Sequence, residues 1–229
     1  MNNNDNNHDK NNEKPSDGNK IKEMSSVEIE KGKQKICCMS IIGEIEGHSI
    51  LPPQSKTTKY EHMLPELVRI EEDDSIDGLL LLLNTMGGDV EAGLAIAEMI
   101  SGMKKPTVSV VLGGGHSIGV PLAVSSKYSF IVPSATMTVH PIRMSGTVIG
   151  SAQTFQYFNK IQERLTNFVV RNSNISHEKF TSLITETNKI ANDVGTILFG
   201  EEAVTCGLID SVGGISDALI KIHKMSEKN

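Results

Sequence analysis

The sequence predicts one α/β domain with a largely parallel sheet, preceded by a polar tail. Short apolar runs typical of buried strands alternate along the chain with segments whose apolar residues recur at helical spacing. A strand–glycine–helix pattern occurs twice in succession. The chain has 229 residues, which is enough for one well-filled core and a tail.

Residues 1–34 are predicted to form a disordered tail, and residues 35–229 the folded domain. Residues 1–12 contain seven Asn, and the tail has no apolar run that could offset the entropy of ordering. It also lacks the apolar segment of a signal peptide. The longest apolar block, Leu79 to Leu83, is far shorter than the roughly 20 residues of a membrane span. We therefore expect a soluble, cytoplasmic protein without a membrane span.

Strand and helix patterns alternate from Lys35 onward. The predicted strands are Lys35–Gly43, Ile76–Asn84, Thr107–Gly113, Tyr128–Pro133 and Ala135–His140. The predicted helices are Glu61–Asp73, Asp89–Gly102, a segment after the second glycine turn, Gly150–Asn172, His177–Lys189 and Ile215–Lys224. Continuous apolar strands indicate a sheet that is covered on both faces.

Two of these helices carry clear apolar patterns. In the first, the apolar residues at helical spacing are Met63, Leu64, Leu67 and Val68, and the helix is expected to start near Pro65. In the long helix, one stripe contains Phe155, Phe158, Ile161, Leu165, Phe168 and Val169. Such a stripe fits either a subunit interface or packing within the subunit.

Composition and charge exclude several function classes. The formal net charge of −6 belongs entirely to residues 36–229, because residues 1–35 hold seven acidic residues and seven Lys. An acidic body disfavours nucleic-acid binding. Cys37, Cys38 and Cys206 are too irregularly spaced for a disulfide framework or a zinc site, and they predict buried thiols in a reducing compartment. Metal-ligand and nucleotide-binding motifs are missing from the sequence, so we expect neither a metal nor a cofactor.

The first glycine turn, Asn84–Asp89, joins a buried strand to a helix. Gly87 and Gly88 allow positive φ values and let a ligand approach the backbone amides. Amides at the start of a helix bind anions readily. The alternative is a tight turn in which Asp89 serves only as the helix N-cap.

The second glycine turn, GGGHSIG, fits the G-x-S-x-G pattern of serine hydrolases. A serine between a buried strand and a helix is held in a sharp bend with its hydroxyl exposed. Ser117 is therefore a candidate nucleophile, and the next amide, that of Ile118, is a candidate donor to a negative oxygen. We interpret His116 as a residue that lines the site rather than as the base.

A neutral serine needs a base within hydrogen-bond reach. Of the seven His residues, His140 ends an apolar strand and precedes Pro141, which favours an extended backbone. It comes 23 residues after Ser117 and is well placed to return to the same sheet edge. The alternative is a histidine that merely satisfies its hydrogen bonds within the core.

This order of features resembles the proteolytic subunit of the Clp protease, and more narrowly the translocation-enhancing protein branch of Clp-like serine peptidases. The motifs that carry the resemblance are NTMGGDVEAGLAIAEMI, GGGHSIGVPLAVSS, ATMTVHP and GEEAVTCGLIDSVGG. The similarity runs from about Ile41 to the C-terminus, roughly four-fifths of the chain. It implies a fold shared with the crotonase superfamily, with repeated ββα units and a protruding long helix.

The resemblance implies Ser117 as nucleophile, His140 as general base, and the amides of Gly88 and Ile118 as the oxyanion hole. The acid that orients the histidine should follow the long helix, where Asp193 is the only acidic residue from position 188 to position 200. Asp210 is the alternative for this role. The sequence departs from the family pattern at Met86, Gly115, His116 and Ile118, which alters the walls of the pocket.

The resemblance also implies a serine endopeptidase that acts on peptides or unfolded proteins inside a homo-oligomeric chamber. The resemblance implies heptameric rings, and it leaves open both the stacking of two rings through the long helix and a separate ATPase partner. One alternative is a catalytically weak assembly or binding protein, because the family's arginine–aspartate context is missing around Asp193. Another is a crotonase-like acyl-thioester enzyme that uses the paired amides without Ser117.

Overall fold

The computed structural model describes residues 26–143, 150–188 and 194–227. Nine strands lie in this part of the chain. Their bounds are β1 Ser26–Lys31, β2 Gln34–Glu46, β3 Thr57–Lys59, β4 Gly78–Gly88, β5 Thr107–Gly115, β6 Tyr128–Ile131, β7 Thr136–Val139, β8 Thr196–Phe199 and β9 Ser211–Val212.

Seven helices lie among the same residues. Their bounds are α1 Tyr60–Glu72, α2 Val90–Gly102, α3 Gly119–Val124, α4 Ser151–Arg171, α5 His177–Thr185, α6 Gly200–Thr205 and α7 Ile215–Ser226. Asp89 caps α2 by accepting a hydrogen bond from the Ala92 amide at 2.8 Å, and Ser176 caps α5 in the same way.

The sheet has the order β1-β2-β4-β5-β6-β9. Strands β2, β4, β5, β6 and β9 run parallel, whereas β1 is antiparallel to β2 at one edge. Strand β7 meets β5 through one ladder pair, Gly114↔Thr136, and pairs antiparallel with β8. The predicted α/β class with a largely parallel sheet is confirmed.

The leucine run of β4 supplies the centre of the core. Successive side chains of a strand point to opposite faces of the sheet. Leu79, Leu81 and Leu83 pack on the face covered by α1, α2 and α3, and Leu80 packs on the face covered by α7. All four are fully buried, and burial of one leucine contributes about 1.5–3 kcal/mol. This two-sided burial explains the continuous apolar sequence.

Adjacent cysteines of β2 divide between the same two faces. Cys37 belongs to the cluster beneath α1 and α2, and Cys38 belongs to the cluster beneath α7. Both thiols are free and buried, whereas Cys206 is free and half-buried. The prediction of buried thiols is therefore wrong in part for Cys206.

The prediction of a disordered tail over residues 1–34 is wrong for the residues of β1. Residues 26–31 form β1, which pairs with β2 from Ser26↔Met39 to Lys31↔Gln34. Ser26 Oγ also donates to the buried Glu66 carboxylate at 3.2 Å. The strand has the sequence SVEIEK, in which polar and apolar residues alternate over only six positions among charged residues. Residues 1–25 lie outside the described part of the chain.

The first helix begins before Pro65 rather than near it. Pro65 is the sixth residue of α1, exposed to solvent, and its missing N–H removes the hydrogen bond to Glu61. The buried face consists of Met63, Glu66, Leu67 and Ile70. The expected apolar face is therefore wrong at Val68, whose side chain is 53% exposed.

The long helix divides into two parts. In its second half, Phe168 and Val169 are buried, and Arg164 and Arg171 form ion pairs with Glu91 and Glu98 of α2. In its first half, Phe155 is 67% exposed and Tyr157 is 53% exposed. The apolar stripe therefore packs within the subunit only over its C-terminal part. Within the described ranges, no helix is long and apolar enough to cross a membrane.

Candidate active site

The Gly-Gly pair closes β4 against β2. Gly88 pairs with Ile45 in the ladder, and the Asp89 amide donates to the Ile45 carbonyl at 2.9 Å. Gly88 has φ +147°, and a Cβ there would lie 2.4 Å from the Ile45 carbonyl oxygen. Both conditions exclude a side chain at this position. The second glycine of the predicted turn is therefore required by the fold itself.

Gly87 brings the same strand end against Ser117. Its φ is +96°, and a Cβ there would lie 2.6 Å from Ser117 Cβ. The Gly87 amide is fixed by the hydroxyl of Thr85, which accepts it at 3.0 Å and donates to the Gly43 carbonyl at 2.6 Å. The predicted first glycine turn thus forms one wall beside the candidate nucleophile.

Ser117 occupies a strained turn between β5 and α3. Its φ is +56°, and it is the one non-glycine residue with positive φ among those described. This geometry is uncommon outside glycine and marks functional turns in many proteins. The Ser117 amide donates to the Thr138 carbonyl at 2.9 Å, and the Ser117 carbonyl accepts from Val120 at 3.0 Å. The serine turn therefore matches the sharp strand-to-helix bend that G-x-S-x-G predicts.

The side chain of His116 points to β7 rather than into the cavity beside Ser117. Its Nδ1 accepts from the Thr138 amide at 3.1 Å and lies 2.9 Å from Thr138 Oγ1. Burial lowers the pKa of His116 below its usual 6.5, which favours the neutral ring. The interpretation of His116 as a lining residue is wrong, because its imidazole is hydrogen-bonded to Thr138 and does not line the cavity.

His140 follows the last residue of β7 and is half-buried. Its Nδ1 lies 2.7 Å from the Pro141 carbonyl oxygen, which can only accept. Nδ1 therefore carries a proton, and Nε2 is the ring atom free to act as a base in the neutral imidazole. No hydrogen bond joins Ser117 to His140 among the described residues.

A cavity of about 240 Å³ brings four predicted site residues together. Ser117, His140, Gly88 and Ile118 all line it. The other lining residues are Met86, Val90, Val120, Val139, Ile142, Arg143, Leu165 and Phe180. Most of the lining residues are apolar, and they surround a hydroxyl, an imidazole and the Arg143 side chain. In the described part of the chain, the Ile118 amide has no hydrogen-bond partner, so it is available to a ligand.

The predicted third residue of the triad, Asp193, lies outside the described residues. The chain that follows it reaches the histidine: a Cβ at Gly195 would lie 2.8 Å from His140 Cβ. Thr196 then pairs with Val139 in the β7–β8 ladder. The alternative, Asp210, accepts from both the amide and the hydroxyl of Ser129 at 2.8 Å. Its carboxylate therefore ties β6 to the segment before β9.

Other chemistries have weaker support in the described structure. Burial raises the pKa of Cys37 to about 12 and that of Cys38 to about 11, so neither thiol is a ready nucleophile. Across ranges 26–143, 150–188 and 194–227, no cluster of His, Cys, Asp and Glu has the arrangement of a metal site. The hydroxyl of Ser117 is the nucleophilic group at the cavity.

Comparison with known proteins identifies the family. The model of the Clp protease family matches residues 33–216, which is most of the chain. The chain belongs to the Clp protease family. The glycine turns, the serine turn and the histidine that follows β7 all lie within the matched range. The predicted resemblance is confirmed.

Individual members of the Clp protease family show the same relationship. The translocation-enhancing protein TepA of Halalkalibacterium halodurans is 54% identical over 210 residues, which cover 91% of this chain and 82% of that protein. The ATP-dependent Clp protease proteolytic subunit of Lactococcus lactis is 31% identical over 124 residues, covering 51% of this chain and 62% of that subunit. The corresponding subunit of Streptococcus pneumoniae is also 31% identical over 124 residues, which cover 51% of this chain and 63% of that subunit.

Sequence reasoning missed the groups that support the site of this Clp protease family member. Thr85, His116 and Thr138 make the hydrogen bonds that fix the two turns and β7. The Pro141 carbonyl fixes the proton of His140. Only His116 carried a signal in the sequence, since a large polar residue stands there beside three glycines.

Proposed function

We propose that this chain is a serine endopeptidase that hydrolyses peptide bonds of peptides or unfolded proteins. Ser117 is the nucleophile, His140 is the general base, and Asp193 orients the imidazole. The amides of Gly88 and Ile118 stabilise the oxyanion. The observation that carries the proposal is the strained Ser117 turn, which opens into the cavity that His140 also lines.

The reaction follows from the groups at this cavity. His140 Nε2 takes the Ser117 hydroxyl proton as Oγ attacks the scissile carbonyl carbon. The resulting negative oxygen binds the two amides, and one such donor is worth about 2.7–4 kcal/mol in a known serine peptidase. The protonated His140 then gives its proton to the leaving amine. Water, activated by the same imidazole, hydrolyses the acyl-enzyme.

The role of Asp193 is supported by the contact between Gly195 and His140. In the described arrangement the Pro141 carbonyl already accepts the Nδ1 proton. A carboxylate orienter would hold this proton more strongly and would stabilise the imidazolium. We expect Asp193→Asn to lower kcat by up to about 10⁴-fold if Asp193 acts in this way. Asp210→Asn is the matched comparison and should reduce stability rather than kcat, because Asp210 binds Ser129.

An extended peptide is supported as the substrate by a second cavity next to the first. This cavity, of about 370 Å³, shares Gly88, Val90, Ile142 and Arg143 with the first. It continues to Tyr157 and Ile161 of α4. Together the two cavities form a continuous groove, whose walls combine apolar side chains with the charged residues Asp89, Glu91 and Arg143. We propose that a peptide lies along this groove.

A homo-oligomeric chamber completes the proposal. Phe155 is exposed on the first half of α4 and lines neither cavity, so a neighbouring subunit of a heptameric ring or of a stacked ring would cover it. The matched Lactococcus and Streptococcus proteins are named as proteolytic subunits of an ATP-dependent protease. An ATPase that delivers unfolded protein to the chamber is part of this proposal.

The decisive experiment is labelling with a fluorophosphonate probe on protein whose oligomeric mass is measured in the same sample. The parent protein should be labelled at Ser117 and should degrade unfolded casein. Ser117→Ala should lose both activities, because the label needs the activated hydroxyl. Ser134→Ala removes an exposed serine outside the cavity and should keep both. An unlabelled parent oligomer, or equal labelling of Ser117→Ala, would refute the peptidase.

A second candidate function is an assembly or binding protein with little catalysis. It is favoured by the lack of a Ser117–His140 hydrogen bond within the described residues. Hydrogen bonds between nucleophile and base often tighten only when substrate binds, so this geometry is compatible with both candidates. Casein turnover that His140→Ala abolishes would exclude the second candidate.

A further inference from the structure

His116 precedes the proposed nucleophile, yet its side chain is bound to the strand that carries the proposed base. We propose that His116 is a positioning residue whose imidazole holds β7, and with it His140, in fixed register with the Ser117 turn. The catalytic consequence rests on the proposed peptidase function, whereas the structural link stands on the hydrogen bonds themselves.

Two hydrogen bonds of opposite direction form this link. The Thr138 amide donates to His116 Nδ1 at 3.1 Å, and the Ser117 amide donates to the Thr138 carbonyl at 2.9 Å. A backbone amide can only donate, so His116 Nδ1 must be the unprotonated nitrogen of the ring. The imidazole thus takes the place that a backbone carbonyl would have in a strand ladder. We call these two bonds the His116–Thr138 clamp.

The clamp matters because β7 has little other attachment to the main sheet. In the described residues, its ladder with β5 consists of the single pair Gly114↔Thr136. Its other partner, β8, is a short strand outside the main sheet path. Along β7, Thr138 lies two residues closer to His140 than Thr136, the β7 member of that ladder pair, does. The clamp therefore joins the serine turn that follows β5 to β7, at a position nearer to His140 than the β5–β7 ladder pair.

The serine turn is built around the position of this imidazole. The His116 amide donates to the Thr85 carbonyl at 3.1 Å, and the His116 carbonyl accepts from Gly119 at 2.8 Å. A Cβ at Gly114 would lie 2.6 Å from His116 Nε2, so the glycine leaves room for the ring. Backbone and side chain of His116 are both fixed, which is what a rigid link to another strand requires.

The proposed proton transfer requires a precisely maintained distance between the Ser117 hydroxyl and the His140 imidazole. A displacement of about 1 Å between reacting groups can cost about 10²-fold in rate. The β7–β8 pair is joined to β5 by one ladder pair and can shift together by such an amount, whereas a strand clamped to the serine turn next to its catalytic residue is restrained. His116 would thus act on catalysis without touching the substrate.

The test compares His116→Leu with His116→Asn in the full-length oligomer. Leu has similar bulk but no acceptor, whereas the Asn Oδ1 occupies about the position of Nδ1. For peptide-amide hydrolysis, we expect His116→Leu to lower kcat about 10- to 100-fold with KM within about twofold. His116→Asn should recover most of the loss. Equal kcat losses in the two variants, or no loss in His116→Leu, would overturn the catalytic role.

A second pair of variants moves the ring without removing it. Gly114→Ala should push the imidazole away from Thr138, because the new Cβ would lie 2.6 Å from Nε2. Gly115→Ala is the matched control, since the atoms nearest to its Cβ would be those of the Val111 and Met137 side chains, at 3.2 and 3.5 Å, and not those of the His116 ring. We expect a kcat loss for Gly114→Ala that exceeds the loss for Gly115→Ala by about tenfold. Equal values would count against the clamp.

Amide hydrogen exchange tests the clamp without any need for activity. In His116→Leu, a peptide fragment spanning residues 136–140 should exchange about 5- to 10-fold faster at the Thr138 amide, and His116→Asn should restore protection. Unchanged exchange in His116→Leu would overturn the proposal whatever the activity. A parent protein that is not labelled at Ser117, but that shows the exchange difference, would refute the peptidase and support the clamp.

Discussion

The two glycine turns of the site are held in place by different means. The β4 turn is held by backbone, through the Gly88↔Ile45 ladder pair and the Asp89 amide on the Ile45 carbonyl. The β5 turn combines backbone hydrogen bonds with side-chain ones, since Asn84 Oδ1 accepts from the Gly114 amide at 2.9 Å and His116 binds Thr138. Where backbone strands are in close contact, a substitution that adds a Cβ atom should reduce stability. Where a side chain accepts a hydrogen bond from the turn, a substitution that removes this acceptor should reduce stability.

The largest effect is expected from Gly88→Ala, which tests the turn held by backbone. The new Cβ would lie 2.4 Å from the Ile45 carbonyl oxygen, at a residue with φ +147°. We expect the free energy of unfolding to fall by about 3 kcal/mol or more in urea denaturation.

The control for this prediction is Gly102→Ala at the end of α2. A Cβ at Gly102 would meet nothing within 4 Å. Alanine at a helical position should leave the free energy of unfolding within about 1 kcal/mol of the parent value. Similar urea midpoints for the two variants would show that the ladder can move aside.

The next effect is expected from Thr85→Val at the junction of the two turns. The Thr85 side chain is buried, and its hydroxyl serves the Gly87 amide and the Gly43 carbonyl. Valine leaves both backbone groups without this partner, so the free energy of unfolding should fall by about 2 kcal/mol. Thr85→Ser keeps the hydroxyl and should lose less, about 1 kcal/mol for the missing methyl group. The reverse order in urea denaturation would contradict this account.

A smaller effect is expected from Asn84→Ala, which tests the side-chain hydrogen bonds of the β5 turn. The side chain of Asn84 is exposed, so the loss of its bond to the Gly114 amide should cost about 1 kcal/mol of unfolding free energy. Asn84→Asp keeps an acceptor oxygen and should stay closer to the parent. If alanine and aspartate destabilise equally, the hydrogen bond does not support the turn.

The smallest effect is expected from pH. Burial lowers the pKa of His116 from 6.5, and burial also lowers that of His223. Below pH about 6.5 the unfolded chain therefore binds more protons than the folded one, and the free energy of unfolding falls as pH decreases. His116→Asn should show a shallower fall than the parent when urea midpoints are compared between about pH 7.5 and 5.5. A parallel or steeper fall would show that His116 is not held neutral.

The sequence predicted the fold where a pattern extends over many residues. The leucine run of β4 and the helical spacing of α2 are each typical of one local structure, and both elements formed, although β4 continues to Gly88, four residues beyond its predicted end. Strand β1 was missed because its alternation is short and lies within charged residues. Strand β8 has four residues and is defined by its pairing with β7, which no local pattern reveals. Pro65 was misread because its ring fits the exposed face of α1.

The candidate site was predictable in its backbone but not in its supporting contacts. The strand–glycine–helix pattern and the resemblance pointed to Ser117, His140, Gly88 and Ile118, and these residues do line one cavity. Their catalytic roles stay predictions. The bond from Thr138 to His116 joins side chain and backbone across 22 residues, and it depends on a side-chain direction that composition does not specify.

The neighbouring cysteines of β2 give this protein two built-in reporters. Cys37 lies beneath the α1 and α2 side of the sheet, and Cys38 lies beneath α7. A thiol reagent can reach each sulfur only when the helices over its own face move away. The order in which the two thiols react would therefore tell which layer of the molecule opens first, without an introduced label. A native partial opening at the C-terminal helix would modify Cys38 and spare its neighbour.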